Sequence, residues 1–159
     1  MATIHFMHGF VRYGKSTFAK KLADKLGCKR ISMDDVYAEM NDGRAAVNLS
    51  KEERAKLLEI TWQKIADEVL ANKDVIFDAG SWSRKNRDDS RARATALGAK
   101  YKFYSLDCDP ETAWQRVLKR NEAKQAGSEY PKSYFDEKFK YFNPMQEDEE
   151  FELVKTDDL

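Results

Sequence analysis

Histidine and cysteine are too scarce here to build a metal centre or a disulfide framework. The only cysteines are Cys28 and Cys108, the only histidines His5 and His8, and neither pair has metal-ligand spacing. Two distant cysteines read as unbridged buried thiols in a reducing cytosol, and His8, at the end of an apolar run, reads as structural. Net charge is missing too: 28 Lys and Arg oppose 28 Asp and Glu, leaving +0. With no global field to capture nucleic acid or an anionic membrane, any polyanion would need a local patch. No apolar run approaches a membrane span, and the N-terminus lacks a signal-peptide pattern, so a cytoplasmic protein is expected. Repeats, linkers and low-complexity tracts are also absent. The 159 residues therefore predict one domain over 1–159, with a charged fraction of 35% and a hydrophobic fraction of 42%.

The informative stretch is Gly9-Phe10-Val11-Arg12-Tyr13-Gly14-Lys15-Ser16-Thr17. It fits the pattern G-x-x-x-x-G-K-S/T, a loop whose main-chain amides cradle nucleotide phosphates. Lys15 would then reach the β- and γ-phosphates of ATP, and the Ser16 hydroxyl would hold Mg²⁺. Before it, Thr3 to Met7 form an apolar, β-prone run. After it, Phe18, Ala19, Leu22, Ala23 and Leu26 recur at helical spacing up to Gly27, a helix-stopping residue. The loop thus opens a helix, whose N-terminus favours an anion.

Farther along, Lys29 to Ser32 predict a second strand followed by Asp34 and Asp35. One of these carboxylates stands where open α/β sheets place their chemistry, although Asp34 would also serve as a helix N-cap. Ser50 and Glu53 form a capping box ahead of a stripe of Leu58, Trp62, Ile65 and Val69, which reads as core. Asp74 to Asp78 resemble a Walker B strand, with Asp78 supporting Mg²⁺ beside the phosphate loop, and Ala79-Gly80 let the backbone turn closely. Trp82, Arg84 and Arg87 follow on the same rim. The two arginines either grip an anionic substrate or form a solvated face balanced by Asp88 and Asp89. Lys100 to Leu106 predict a fourth strand, and Asp109-Pro110 a helix start. That helix should bury Trp114, Val117 and Leu118, leaving Arg116, Arg120 and Lys124 along its other face as a cationic clamp on a lid spanning about 116–134. A last helix over 133–142 and a fifth strand over 151–154 complete the chain.

Strands alternating with helices after such a loop imply a parallel sheet with right-handed crossovers. In order and spacing, the chain resembles the small P-loop kinases around the kinase domain of bacteriophage polynucleotide kinase, chloramphenicol phosphotransferase and the zeta toxins. It is also similar to small bacterial proteins named only AAA family ATPase or predicted kinase. Besides the loop, the resemblance rests on Ile31 to Asp35, on Val75 to Asp88, on Leu106 to Pro110 with Leu118 to Asn121, and on Tyr130-Pro131. It implies a three-layer α/β fold with a five-stranded parallel sheet and a short helical lid. It also implies ATP and Mg²⁺ as cofactors, and Asp34 as the base that takes the acceptor hydroxyl's proton. Where relatives carry Gly-Ser-Gly before the lysine, this chain has Arg12-Tyr13-Gly14. An arginine at that place resembles the thymidylate kinases with Asp-Arg-x-Gly-Lys, which implies that Arg12 reaches the transferring phosphate. The expected activity is transfer of the γ-phosphate to a small-molecule acceptor seated above Asp34, Asp78, Trp82 and Arg84, by a monomer or dimer. The alternatives are a 5′-hydroxyl nucleic-acid kinase, disfavoured by the neutral charge, and a non-catalytic ATP-binding protein.

Overall fold

A computed structural model describes residues 1–10, 13–122 and 131–156 of the chain. Five strands, β1 (Thr3–His8), β2 (Lys29–Ile31), β3 (Val75–Phe77), β4 (Lys100–Asp107) and β5 (Glu152–Lys155), form one sheet in the order β2-β3-β1-β4-β5. Every neighbouring pair is parallel, with β1 at the centre: Phe6 faces Phe77 on one side and Phe103 on the other. Parallel strands need crossovers, which six helices supply: α1 (Lys15–Leu26), α2 (Met33–Met40), α3 (Lys51–Leu70), α4 (Arg84–Ala96), α5 (Pro110–Glu122) and α6 (Lys132–Phe139).

The pleat of β1 shows why both faces are covered. Ile4 and Phe6 point into one cluster, with Trp62, Ile65 and Val69 of α3 and Ala94 of α4. Met7 belongs to the opposite cluster, with Ala19 and Leu22 of α1, Ala113 and Val117 of α5, and Phe135 of α6. Helices therefore sandwich the sheet, and the fold class is the expected three-layer α/β arrangement. Because all strands are parallel, their carboxyl ends (His8, Ile31, Phe77 and Asp107) share one rim.

Several local expectations are corrected. The N-cap of α2 is Ser32, whose Oγ accepts from the Asp35 amide at 3.1 Å, so Asp34 lies inside the first turn. Leu118 is exposed, whereas Ala113 and Val117 form the buried face of α5. Helix α6 stops at Phe139 rather than Phe142, and Cys28 is only half-buried. The lid span is described only at its two ends, α5 and α6; Lys124 and the rest of 123–130 lie outside the described residues. The capping box holds as read: the Glu53 amide donates to Ser50 Oγ at 3.0 Å and the Ser50 amide to Glu53 Oε1 at 3.3 Å. Among the described residues no helix is long and apolar enough to cross a membrane.

The largest correction is Arg87. Its side chain is 0% exposed, and it donates to both Glu149 oxygens at 2.8 and 2.9 Å. Its remaining donors reach the carbonyls of Ser81, Asn143 and Pro144 at 3.0, 3.1 and 3.2 Å. A guanidinium has five donors and no acceptor, so this set satisfies it and removes it from any substrate role. The link ties the turn after β3 to segment 143–149. Burial alone would raise the Glu149 carboxyl, yet hydrogen bonds from Arg87 and Arg91 outweigh it and bring the pKa to about 2. Two expectations follow for urea unfolding. Replacing Arg87 by Ala removes the bidentate partner of a buried carboxylate, leaving it Arg91 and the Gln146 amide, and costs about 3 kcal/mol. In the parent protein the stability from this pair is complete above the ordinary carboxylate value of 4.5 and drains away as pH falls toward 2. An Arg87→Ala, Glu149→Leu variant should lack that part of the acid dependence.

Candidate active site

The phosphate loop runs directly off the carboxyl end of β1. Gly14 caps α1 with φ 92 and ψ 17, a left-handed conformation that penalises any Cβ. That turn lets α1 begin at Lys15 and leaves the first amides of the helix without intrahelical partners, aimed at the rim. Space at Gly9 is tight, because a Cβ there would stand 3.1 Å from Lys15 Cγ and 3.2 Å from Leu106 Cβ. The start of the loop is knitted to the turn after β3. Gly9 N donates to the Gly80 carbonyl at 3.1 Å, and Trp82 Nε1 donates to the Gly9 carbonyl at 3.1 Å. Lys15 Nζ folds back to the Phe10 carbonyl at 2.9 Å. Burial lowers its pKa to about 8, with Asp78 and Asp34 pulling the other way.

Opposite the loop stand three carboxylates and one arginine. Arg30 of β2 donates through Nη1 to Asp78 Oδ2 and through Nη2 to Asp35 Oδ2, both at 2.6 Å. The Asp78 amide donates to the Ile31 carbonyl at 2.8 Å, which fixes the end of β3 against β2. Asp34 accepts no hydrogen bond and makes no ion pair among the described residues, and its charge is felt at Lys15. Loop and carboxylates face one cleft of about 990 Å³, whose remaining wall carries Arg116, Lys119 and Arg120 of α5. Arg116 is anchored there by bonds to the Thr156 carbonyl and, at 3.5 Å, to Cys108 Sγ.

Measured against the sequence reading, the cleft gathers Gly14, Lys15, Ser16, Thr17, Asp34, Asp78, Arg116 and Arg120. Gly9 supports the loop from behind. The side chains of Phe10 and Tyr13 are buried in the core, 0% and 6% exposed, so only their main chains face the loop. Val11 and Arg12 lie outside the described residues. Trp82 and Arg84 are not part of the cleft. Trp82 packs on Phe10, ring centroids 4.8 Å apart, and Arg84 is engaged by Asp88 and by both oxygens of Asp148. Sequence reasoning missed Arg30, whose only trace was a cation inside a short strand four residues before Asp34. It also missed Lys20, Ser32 and Lys119, which line the cleft as well.

The site suits a nucleotide's phosphates: a left-handed glycine, unpartnered helix amides and a buried ammonium converge on one rim. For Mg²⁺, Ser16 Oγ and the Asp78 carboxylate are hard oxygen donors in the same cleft. No group of three or more His, Cys, Asp or Glu that would cage a metal occurs among the described residues.

A family profile described as an AAA domain (AAA_33) matches residues 4–145. The chain belongs to this family. No curated protein matches it in sequence. Among solved structures, this AAA domain is similar to the Mycobacterium tuberculosis APS kinase CysC in complex with AMPPNP and APS. Identity is 17%, the TM-score 0.69, and the match covers 98% of this chain and 89% of that one. It is similar to Chaetomium thermophilum Kti12 in complex with ADP-AlF3, at 18% identity and a TM-score of 0.75, covering 98% and 90%. A gluconokinase from Sinorhizobium meliloti aligns at 17% identity and a TM-score of 0.65, covering 97% and 81%. At these identities the likeness establishes the fold alone, the three-layer α/β arrangement of the P-loop NTPases.

With its pKa lowered to about 8, Lys15 would make binding of a triphosphate seated against it proton-linked. Phosphate oxygens beside the ammonium raise its pKa from about 8 toward the ordinary 10.5, so binding between those values takes up a proton. Calorimetry of Mg·ATP in two buffers of different ionisation enthalpy, one pH unit above 8, should show net uptake of a large fraction of a proton. Affinity should fall as pH rises through that window. Lys15→Met should abolish the uptake.

Proposed function

We infer that this AAA domain protein is an ATP-dependent phosphotransferase acting on a hydroxyl of a small molecule. The observation that carries the reading is the state of Asp34. Of the three carboxylates in the cleft, Arg30 engages Asp35 and Asp78, and Asp34, across from the phosphate loop, has no hydrogen-bond or ion-pair partner among the described residues. The acceptor oxygen attacks the γ-phosphorus while its proton passes to the Asp34 carboxylate. The bond from that phosphorus to the β,γ-bridging oxygen breaks, and ADP leaves with the electron pair. Lys15 and the first amides of α1 offset charge on the phosphates, and Arg116 and Arg120 do so from α5. Mg²⁺, held by Ser16 and Asp78, would supply further neutralisation of phosphate charge. Most of the catalytic advantage is positioning in a fixed electrostatic frame.

The complexes of two fold neighbours with AMPPNP and with ADP-AlF3 support a nucleotide in this fold. A reducing compartment suits Cys28 and Cys108, which form no disulfide. Arg84 and Arg87, the grips expected for a nucleic-acid end, lie outside the cleft.

Asp34→Asn separates catalysis from binding. Transfer of label from ATP to acceptor should fall by about 10²–10⁴-fold, the usual worth of a general base, while the affinity for Mg·ATP stays within about twofold. Unchanged transfer would remove Asp34 as base. A parent protein that binds ATP and labels no acceptor would favour the non-catalytic reading.

A further inference from the structure

The wall facing the phosphate loop has a charge pattern that selects among acceptors. Beside the main cleft opens a second cavity of about 360 Å³ that shares Arg30, Ser32 and Asp35 with it. The rest of its lining is apolar Ile31, Val36 and Ala38, together with Glu39 and Lys64. Its volume lies in the range of small-ligand sites, and it adjoins the cleft at Arg30, Ser32 and Asp35, beside Asp34, where an acceptor's body would extend.

Across this wall stand four carboxylates, Asp34, Asp35 and Glu39 of α2 and Asp78 just after β3. They face two cations, and both cations are engaged. Arg30 spans Asp35 and Asp78 at 2.6 Å each, its side chain only 17% exposed, and Lys64 pairs with Glu39 at 3.5 Å. The other cations of the cleft (Lys15, Lys20, Arg116, Lys119 and Arg120) belong to α1 and α5, the walls that flank the phosphates. A phosphate, sulfate or carboxylate on the acceptor would meet Asp34, which has no hydrogen-bond partner among the described residues, and would have to draw Arg30 away from Asp35 and Asp78; Lys64, in an exposed pair with Glu39, offsets only that one carboxylate. A hydroxyl donates to these carboxylates, and an ammonium is drawn to them.

We propose that the acceptor is an uncharged or amine-bearing hydroxyl compound, seated in this side cavity with its reacting oxygen at Asp34. Acceptors that already carry an anionic group are selected against. The inference rests on the kinase reading above and narrows it. Discrimination comes from repulsion built into the wall as much as from attraction, the usual route to specificity. The transfer itself is unchanged: the hydroxyl oxygen gains the phosphoryl group, its proton goes to Asp34, and ADP departs.

The test is a deproteinised cell extract divided on a strong anion exchanger at neutral pH into unretained and retained small molecules. Each fraction is incubated with the protein and γ-labelled Mg·ATP, with Mg·ATP binding measured in parallel. Glucosamine against glucosamine 6-phosphate, and adenosine against AMP, serve as matched pure probes. Label should enter the unretained fraction, and in any matched pair that is used the anionic member should be poorer by about a hundredfold, as like-charge juxtaposition predicts. Glu39→Lys, an exposed change on the cavity wall, should raise labelling of the retained fraction about tenfold relative to the unretained one, with Mg·ATP affinity unaltered. Label confined to the retained fraction overturns this acceptor class and leaves the kinase reading standing. Intact ATP binding with label in neither fraction overturns the kinase reading and the acceptor class together.

Discussion

Two hydrogen bonds join the beginning of the phosphate loop to the turn after β3, and the site is built outward from them. Gly9 gives its amide to Gly80 and its carbonyl receives the Trp82 indole, both at 3.1 Å. Both glycines are there for lack of a side chain: a Cβ at Gly80 would lie 2.4 Å from Trp82 Nε1, and one at Gly9 would press on Lys15. The same turn is held from beneath by Arg87 through the Ser81 carbonyl, and Asn143 N donates to the Trp82 carbonyl at 2.8 Å. His8 continues the chain, with Nε2 donating to the Asn143 carbonyl at 2.9 Å and Nδ1 left to accept from Ser105. Its burial pushes its pKa down to about 4, so this contact keeps one neutral tautomer at physiological pH. Residues that never meet the cleft thus fix where Lys15 begins its helix.

Arg30 plays the corresponding part on the other wall. By spanning Asp35 and Asp78 it compensates two of the three carboxylates that share the cleft, and the remaining one, Asp34, acquires its distinct character by exclusion. A guanidinium suits this task better than an ammonium, because its planar fork serves two carboxylates at once. Asp78 keeps one oxygen outside the Arg30 bond.

Much of this was legible in the order of residues. The phosphate loop announces itself because glycine, lysine and hydroxyl are needed at fixed spacing, and the strand before and the helix after follow from local periodicity. The parallel sheet follows from alternation, and Asp34 and Asp78 from standing just past strand ends. What stayed hidden depends on partners far along the chain. Arg87 lies on a helix as polar as any surface helix, and only Glu149, 62 residues later, turns it into a buried structural ion. Arg84 and Trp82 share the rim in sequence, yet the fold commits them to Asp148 and to Gly9. Arg30 was invisible because a cation in a short edge strand carries no signal until β3 is laid beside it.

The central claim is that the first turn of α1 and the Lys15 ammonium hold the triphosphate tail of a nucleotide. The most direct measurement is the thermal midpoint of the purified protein with Mg·ATP, with adenosine alone and with inorganic triphosphate. A ligand that binds only the folded state raises the midpoint in step with its affinity. The account predicts a rise with Mg·ATP and with triphosphate, little with adenosine, and none in Lys15→Met. An unmoved midpoint with Mg·ATP, or a rise that survives the loss of Lys15, would contradict it.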